Sequence, residues 1–144
     1  MRRQLEALAK ELGVADRVRL PGAFHPISEK YQECGIFAFT SRFEGFPNAL
    51  MEAMYFGMAC ISTDCPTGPS ELIENGVNGY LVPVGGEDEL TDRMIALMSD
   101  ATLRRELGET AHTAMEGYET REVVSKWESL LESARPASNM ELSL

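Results

Sequence analysis

Two carboxylates, Glu44 and Glu52, are the residues whose types and spacing most clearly favour ligand chemistry. Glu44 follows the apolar run 36–40 and falls in a turn that contains Gly45 and Pro47, whereas Glu52 lies on the helix that Pro47 opens. The N–H groups in the first turn of a helix have no partner within the helix, so they can bind an anion. With one acid at the mouth of the turn and another on the helix, the pattern indicates a ligand with a phosphate in its middle and hydroxyl groups at both ends.

Two other interpretations of these acids stay open. The helix dipole favours an acid near the start of a helix by about 0.3–1 kcal/mol, and an acid within a helix can simply face water. A pair of carboxylates also serves glycoside hydrolysis, in which the two groups stand roughly 5–10 Å apart across the bond that breaks. Eight helical steps would span about 12 Å, and because a turn intervenes this disfavours hydrolysis without excluding it.

The elements that must position these acids alternate between strand-like and helix-like patterns. Such alternation predicts an α/β fold, with a Rossmann-like parallel sheet flanked by helices and a helical C-terminal tail. Strands are predicted at 17–20, 36–40, 59–63 and 79–83, of which 36–40 is expected to be buried. Helices are predicted at 2–13, 26–34, 47–57, 69–74, 87–99, 101–116 and 121–132.

The chain of 144 residues suits one domain, since a chain of this size buries roughly 70% of its unfolded surface. We place that domain at residues 1–132 and expect a flexible tail at 133–144. No apolar run reaches the ~18 residues that a membrane-spanning helix needs, and no signal peptide opens the sequence.

Charge and cysteine content narrow the classes of partner. The net charge of −10 argues against nucleic acid or an anionic membrane as a main partner, because both require clustered Lys and Arg. A phosphate ligand remains compatible with this charge, because backbone N–H groups can bind it locally. The three cysteines, Cys34, Cys60 and Cys65, form no CxxC pair, which favours reduced thiols in a cytoplasmic protein over a metal site.

The segment from Ser41 to Gly57, SRFEGFPNALMEAMYFG, resembles the C-terminal donor-binding domain of family-4 (group 1) retaining glycosyltransferases, which have the two-domain GT-B fold. The shared features are two acids with seven residues between them, the turn EGFPNALMEAM, and a glycine before the next apolar run. Residues 59–83 resemble the next two strands and the loop between them, and the likeness runs from Arg3 to about Leu131. It implies transfer of a sugar from a nucleotide-sugar, expected to be a UDP-sugar, to an acceptor hydroxyl with retention. The downstream loop resembles enzymes of bacterial polysaccharide and lipid-linked glycan synthesis.

The resemblance also implies roles for individual residues. Glu44 would be the acid at the catalytic centre, bound to hydroxyl groups of the donor sugar, and Glu52 would bind the ribose. Contacts to the donor sugar and diphosphate would come from Arg42 and from the backbone at Gly45, Phe46, Asn48 and Ala49. The nucleobase would lie against Gly22, Ala23 and Phe24. The resemblance requires no metal and no other cofactor.

Members of this family carry two further strands and a helix before the helix at 2–13, and a whole acceptor-binding domain before those. On this resemblance we expect an N-terminally truncated chain, a gap in the sheet between 17–20 and 36–40, and no activity of the 144 residues alone. The implied partners are a nucleotide-sugar and a glycan or lipid-linked acceptor, the latter bound through the missing domain. That domain would also make any peripheral membrane contact. A non-catalytic subunit that needs a partner chain and an inactive fragment stay open as alternatives.

Several positions also have a simpler structural interpretation. Residues 22–24 fit a plain strand-to-helix turn, and Arg42 could pair with Glu44 as readily as with a diphosphate. The loop 65–71 could contact a ligand or only cap the helix that follows it. Trp127 is predicted to be a packing anchor on the last helix, whose apolar face is expected to be exposed.

Overall fold

The structure, a computed structural model, describes residues 1–134. These residues form two compact units, Met1–Lys30 and a second unit that begins at Tyr31. Of the tail expected at 133–144, only its first two residues lie within the described part of the chain. None of the helices described is both long enough and apolar enough to cross a bilayer.

The first unit contains helix α1 (Arg2–Glu11), followed by turns and irregular backbone. The strand predicted at 17–20 is wrong, since no strand of residues 1–134 pairs with this segment. A strand is stable only when a neighbour accepts and donates its backbone hydrogen bonds. Here the Arg2 guanidinium donates to the carbonyl of Leu20 instead.

The second unit is built on a parallel sheet of three strands, β1 (Ile36–Phe39), β2 (Ala59–Thr63) and β3 (Tyr80–Val82), in the order β1-β2-β3. The predicted parallel α/β architecture is therefore confirmed. All five residues of β2 are buried because the strand is central and covered on both faces. The prediction of a buried β1 is wrong: it is an edge strand of the described sheet, and Ala38 is exposed.

The predicted helices are all present, and most of their ends differ from prediction by one or two residues. After α1, the helices are α2 (Ser28–Glu33), α3 (Asn48–Tyr55), α4 (Pro69–Leu72), α5 (Glu87–Ser99), α6 (Ala101–Met115) and α7 (Thr120–Ser133). A 3₁₀ turn, Glu116–Tyr118, connects α6 to α7 and was not predicted. The junction between α5 and α6 is sharp because the Asp100 carboxylate caps α6, accepting from the N–H groups of Thr102 and Leu103 at 2.9 Å.

Hydrophobic side chains pack on both faces of the sheet. On one face Cys60 packs with Leu50 and Met54 of α3, and on the other Ile61 packs with Leu97 of α5 and Leu107 of α6. Adjacent residues of β2 serve opposite faces because successive side chains of a strand alternate. Burial raises the pKa of the Cys60 thiol to about 12, so this cysteine stays protonated and acts as a core residue.

Helix α6 lies against the backbone that leads into β2. A Cβ atom at Gly108 would overlap the carbonyl oxygen of Gly57, so only glycine permits this approach. The close contact fixes α6 beside the turn that ends α3, and α3 carries Glu52.

Helix α7 contrasts with α6, because none of its described residues is buried. Trp127 is 60% exposed, so the prediction that it anchors packing is wrong. The predicted exposure of an apolar face is confirmed, since Val124, Leu130 and Leu131 are also between 47% and 63% exposed. No residue of 1–134 covers this apolar face. The periodicity of the sequence predicts such a face but not whether another element covers it.

Candidate functional site

The three strands of the second unit end at one edge of the sheet, because they run parallel. The segments that follow them, 40–47 after β1, 64–68 after β2 and 83–86 after β3, therefore meet at this carboxyl edge. Ligands of open α/β sheets bind at the carboxyl ends of the strands. Glu44 and the beginning of α3 lie here.

Glu44 is held at the carboxyl edge by its neighbours. The Ser41 hydroxyl donates to Oε1 of Glu44 at 2.5 Å, and the Thr67 hydroxyl donates to the backbone carbonyl of Glu44. The side chain is half-buried, while Gly45 and Phe46 beside it are exposed. The carboxylate is thus oriented but still open to a ligand.

The backbone before α3 presents free N–H groups next to Glu44. Pro47 precedes the helix and has no N–H, and no side chain caps this end. The N–H groups of Gly45, Phe46 and Ala49 donate to no other group in residues 1–134. The N–H of Asn48 donates to the carbonyl of Phe46 at 3.0 Å and is already used. Unpaired N–H groups and the positive end of the helix dipole favour an anion at this position.

Glu52 lies on α3, exposed at its outer surface, and is paired with a residue that the sequence interpretation missed. The hydroxyl of Tyr31 donates to Oε2 of Glu52 at 3.2 Å. The Tyr31 ring is buried, stacked on Phe56 with ring centroids 5.6 Å apart and edge-on to Phe37 at 6.0 Å. Burial, followed by the charge of Glu52, raises the pKa of Tyr31, so its hydroxyl stays a donor. An aromatic residue in a short amphipathic helix was the only sequence signal, and it cannot specify a partner 21 residues away.

A groove of about 510 Å³ lies beside Glu52, between α3 and the connection from α6 to α7. Its wall is mostly apolar and aromatic, with Glu52, Glu119 and Arg121 as charged members. The other lining residues are Met51, Tyr55, Phe56, Met115, Tyr118 and Thr120.

Arg42 does not line this groove. It is exposed and lines a cavity of about 140 Å³ together with Thr40, Thr63 and the segment 83–86. No ion pair joins Arg42 to Glu44 among the residues described. Within residues 1–134, no three His, Cys, Asp or Glu side chains come close enough together to hold a metal ion.

The residues assigned to the nucleobase, Gly22, Ala23 and Phe24, lie in the first unit. They follow residues 17–20, which form no strand, so the strand-to-helix turn considered for them does not form. The ammonium group of Lys30 stands 4.7 Å from the centre of the Phe24 ring, a cation–π contact within the same unit.

Residues 1–114 match the family described as glycosyl transferases group 1. The chain belongs to this family. Its sheet and helices are those of the C-terminal domain of GT-B glycosyltransferases, as the resemblance in the sequence implied.

Two curated relatives and one solved structure illustrate the range of similar proteins. An exopolysaccharide phosphotransferase of Streptomyces coelicolor is 33% identical over 128 residues, which cover 88% of this chain and 14% of that protein. A lipopolysaccharide 1,6-galactosyltransferase of Salmonella typhimurium is 36% identical over 98 residues, covering 65% of this chain and 27% of that one. Anabaena HepE, solved in complex with UDP, is 26% identical with a TM-score of 0.83, covering 91% of this chain and 36% of that one. The chain thus spans between 14% and 36% of the length of these three proteins.

Proposed function

We propose that this chain is the donor-binding part of a glycosyltransferase and binds a UDP-sugar at the carboxyl edge of its sheet. The observation that carries the proposal is the row of unpaired N–H groups at Gly45, Phe46 and Ala49, with Glu44 on one side and Glu52 on the other. Family membership and the UDP bound to the similar HepE structure support the choice of ligand.

Each part of the donor meets different residues of the site. The diphosphate accepts from the free N–H groups at the start of α3, and Arg42, exposed in the segment after β1, adds positive charge. Glu44, oriented by Ser41, accepts from hydroxyl groups of the sugar. Glu52, oriented by Tyr31, accepts from the ribose hydroxyls. For the nucleobase we propose contacts at Gly22, Ala23 and Phe24, as the resemblance in the sequence implies.

The reaction proposed is transfer of the sugar to an acceptor hydroxyl with retention at the anomeric carbon. As the bond to the diphosphate breaks, negative charge grows on the leaving oxygen, and the N–H groups and helix dipole at α3 stabilise it there. Positive charge grows on the sugar, close to the Glu44 carboxylate. We propose that no resident metal or cofactor takes part, so that added chelator leaves donor binding unchanged.

The acceptor proposed is a bacterial polysaccharide or lipid-linked glycan, in the cytoplasm. The names of the lipopolysaccharide galactosyltransferase and the exopolysaccharide protein support this class. We assign acceptor binding to polypeptide outside these 144 residues, since the matched relatives are much longer than the segment shared. The chain alone is then expected to bind donor without transferring sugar. A donor-binding subunit that works with a partner chain is the second candidate, supported by the same coverage.

Isothermal calorimetry with UDP tests the donor site. We expect micromolar to millimolar binding by the wild type, weakened in Glu52→Ala by about 1–3 kcal/mol because polar groups of the ribose lose their partner. Glu106→Ala is the matched control, an exposed acid on α6 away from the site, and is expected to bind UDP like the wild type. A folded wild-type protein that binds no UDP, or a Glu52→Ala variant that binds it equally well, would contradict the proposal.

A further inference from the structure

The loop after β2 braces the turn that carries Glu44. Two hydroxyl groups reach across to it: Thr63, at the end of β2, donates to the carbonyl of Ser41, and Thr67, in the loop, donates to the carbonyl of Glu44. The Thr67 hydroxyl also lies 2.6 Å from the carbonyl oxygen of Pro66. The Ser41 side chain in turn donates to the Glu44 carboxylate. The backbone of the turn is therefore held from outside the turn, and the side chain of its acid is held by Ser41 within it.

Thr67 makes its hydrogen bond from an unfavourable backbone conformation. Its φ is +64°, and among the non-glycine residues described it alone has a positive φ. For a β-branched residue this region is a genuine outlier, because Cβ crowds the backbone. Glycine would take the same φ at no steric cost. What threonine adds over glycine is the hydroxyl that reaches Glu44.

Gly68 allows the loop to approach closely enough for that contact. Its φ is +110°, and a Cβ built on it would overlap Cδ of Pro47 and lie 3.0 Å from Cγ of the same ring. Pro47 is the residue before α3, so the loop contacts the turn at both its acid and its exit into the helix. The last residue of β2 and the loop 64–68 thus hold the turn at three points, through Thr63, Thr67 and Gly68.

We propose that Thr67 is a positioning residue for the sugar-binding half of the donor site. Its hydroxyl fixes the backbone of Glu44, and with it the direction of the Glu44 carboxylate and of the N–H groups of Gly45 and Phe46. Thr67 acts through the turn and does not itself need to touch the donor. The proposal rests on the proposed donor-binding function, and it assigns to the loop 65–71 a role other than capping α4. Strain that persists beside a ligand site is expected where a defined geometry matters more than stability.

Three substitutions separate the hydroxyl from the strain. Thr67→Val keeps the branched shape and the strain but removes the hydroxyl, whereas Thr67→Ser keeps the hydroxyl. Thr67→Gly removes both the hydroxyl and the strain. The intact chain is used throughout, with UDP and with UDP-glucose and UDP-galactose as probes, and with the thermal midpoint as a measure of folding.

We expect Thr67→Val to weaken binding of the UDP-sugars about tenfold, the effect of losing one hydrogen bond. Binding of UDP should weaken by a smaller factor, because UDP meets the N–H groups of Gly45 and Phe46 but not the Glu44 carboxylate. Thr67→Ser is expected to bind UDP and the two UDP-sugars like the wild type. Thr67→Gly is expected to keep or raise the thermal midpoint and still lose UDP-sugar affinity, a result that a merely structural role would not produce. Equal weakening of UDP and UDP-sugar binding in Thr67→Val, or wild-type UDP-sugar binding by Thr67→Gly, overturns the proposal.

A second measurement does not depend on ligand. In ¹⁵N–¹H spectra of the free protein, Thr67→Val should shift the amide peaks of Gly45 and Phe46, while Thr67→Ser leaves them in place. Unmoved peaks in Thr67→Val overturn the proposal whatever the protein binds. If the wild type binds neither UDP nor UDP-sugar, the donor-binding function fails, and the peaks alone then decide whether Thr67 holds the turn.

Discussion

Glu44 lies on a turn that residues from another loop hold in place, whereas Glu52 lies on helix α3, whose own backbone hydrogen bonds fix it. Glu44 depends on Ser41 within its turn and on Thr67, 23 residues further along the chain. Glu52 receives one side-chain hydrogen bond, from Tyr31. The two acids therefore belong to one sequence motif but are positioned by different means. Disturbing the loop after β2 should affect the sugar half of the donor site, and disturbing the aromatic cluster around Tyr31 should affect the ribose half.

The largest effect on stability is expected from adding a side chain at Gly68, where the loop lies against the turn. Gly68→Ala places a Cβ on the Pro47 ring at a φ of +110°, so both a clash and backbone strain oppose folding. We expect a loss of about 2–4 kcal/mol in the free energy of unfolding, measured by chemical denaturation.

Gly76→Ala is the matched control for that substitution. Gly76 also has a positive φ, +82°, but no atom lies within 4 Å of a Cβ built there. Backbone strain alone should cost about 1 kcal/mol. Equal losses in the two variants would mean that the loop does not press on Pro47, and the contrast between the two acids would lose its structural basis.

A smaller effect is expected on the other side of the comparison. Tyr31→Phe keeps the stacked ring but removes the hydroxyl that orients Glu52, so UDP affinity should fall by about 0.5–1.5 kcal/mol. The UDP-sugars should lose affinity by the same factor, because the ribose is common to both ligands. Tyr118→Phe serves as the control. Tyr118 lines the groove beside Glu52, and its hydroxyl makes no hydrogen bond to any described residue. Loss of UDP-sugar affinity alone in Tyr31→Phe would place Glu52 on the wrong half of the donor.

The smallest effect is a dependence on alkaline pH. The pKa of Tyr31 is raised in the folded protein by burial and by the charge of Glu52, so the folded state holds this proton more tightly than the unfolded state does. The resulting stability is fully present below about pH 10 and is lost as the pH rises through the folded pKa. Denaturation between pH 9 and 11 should therefore show a shallower decline for Tyr31→Phe than for the wild type. Identical slopes would mean that Tyr31 titrates like an exposed tyrosine.

Much of the fold was predictable, because the local patterns agree with the tertiary structure. The buried run at 59–63 and the stripes of α5 and α6 each specify an element that then packs as the pattern indicates. The strand predicted at 17–20 failed because a strand depends on a neighbour that sequence cannot supply. Trp127 failed because a helical stripe predicts an apolar face but not whether anything covers it.

The candidate site was predictable only where chemistry lies in the motif itself. The two acids and the start of α3 are local features, so the sequence around them indicates them directly. Tyr31 and Thr67 reach the acids through contacts 21 and 23 residues apart in the chain, and neither residue type nor spacing indicates such partners. The positive φ of Thr67 was unpredictable for the same reason, since it is imposed by the contact and not by the residue.

We propose that Glu44 binds the sugar of the donor and that Glu52 binds the ribose of the same donor molecule. Calorimetry of wild type, Glu44→Gln and Glu52→Gln with UDP, UDP-glucose and UDP-galactose tests it most directly. We predict that Glu44→Gln binds UDP like the wild type but weakens the UDP-sugars, whereas Glu52→Gln weakens all three ligands by a similar factor. If Glu44→Gln weakens UDP as much as it weakens the UDP-sugars, or if Glu52→Gln changes none of them, the two-part donor site is contradicted.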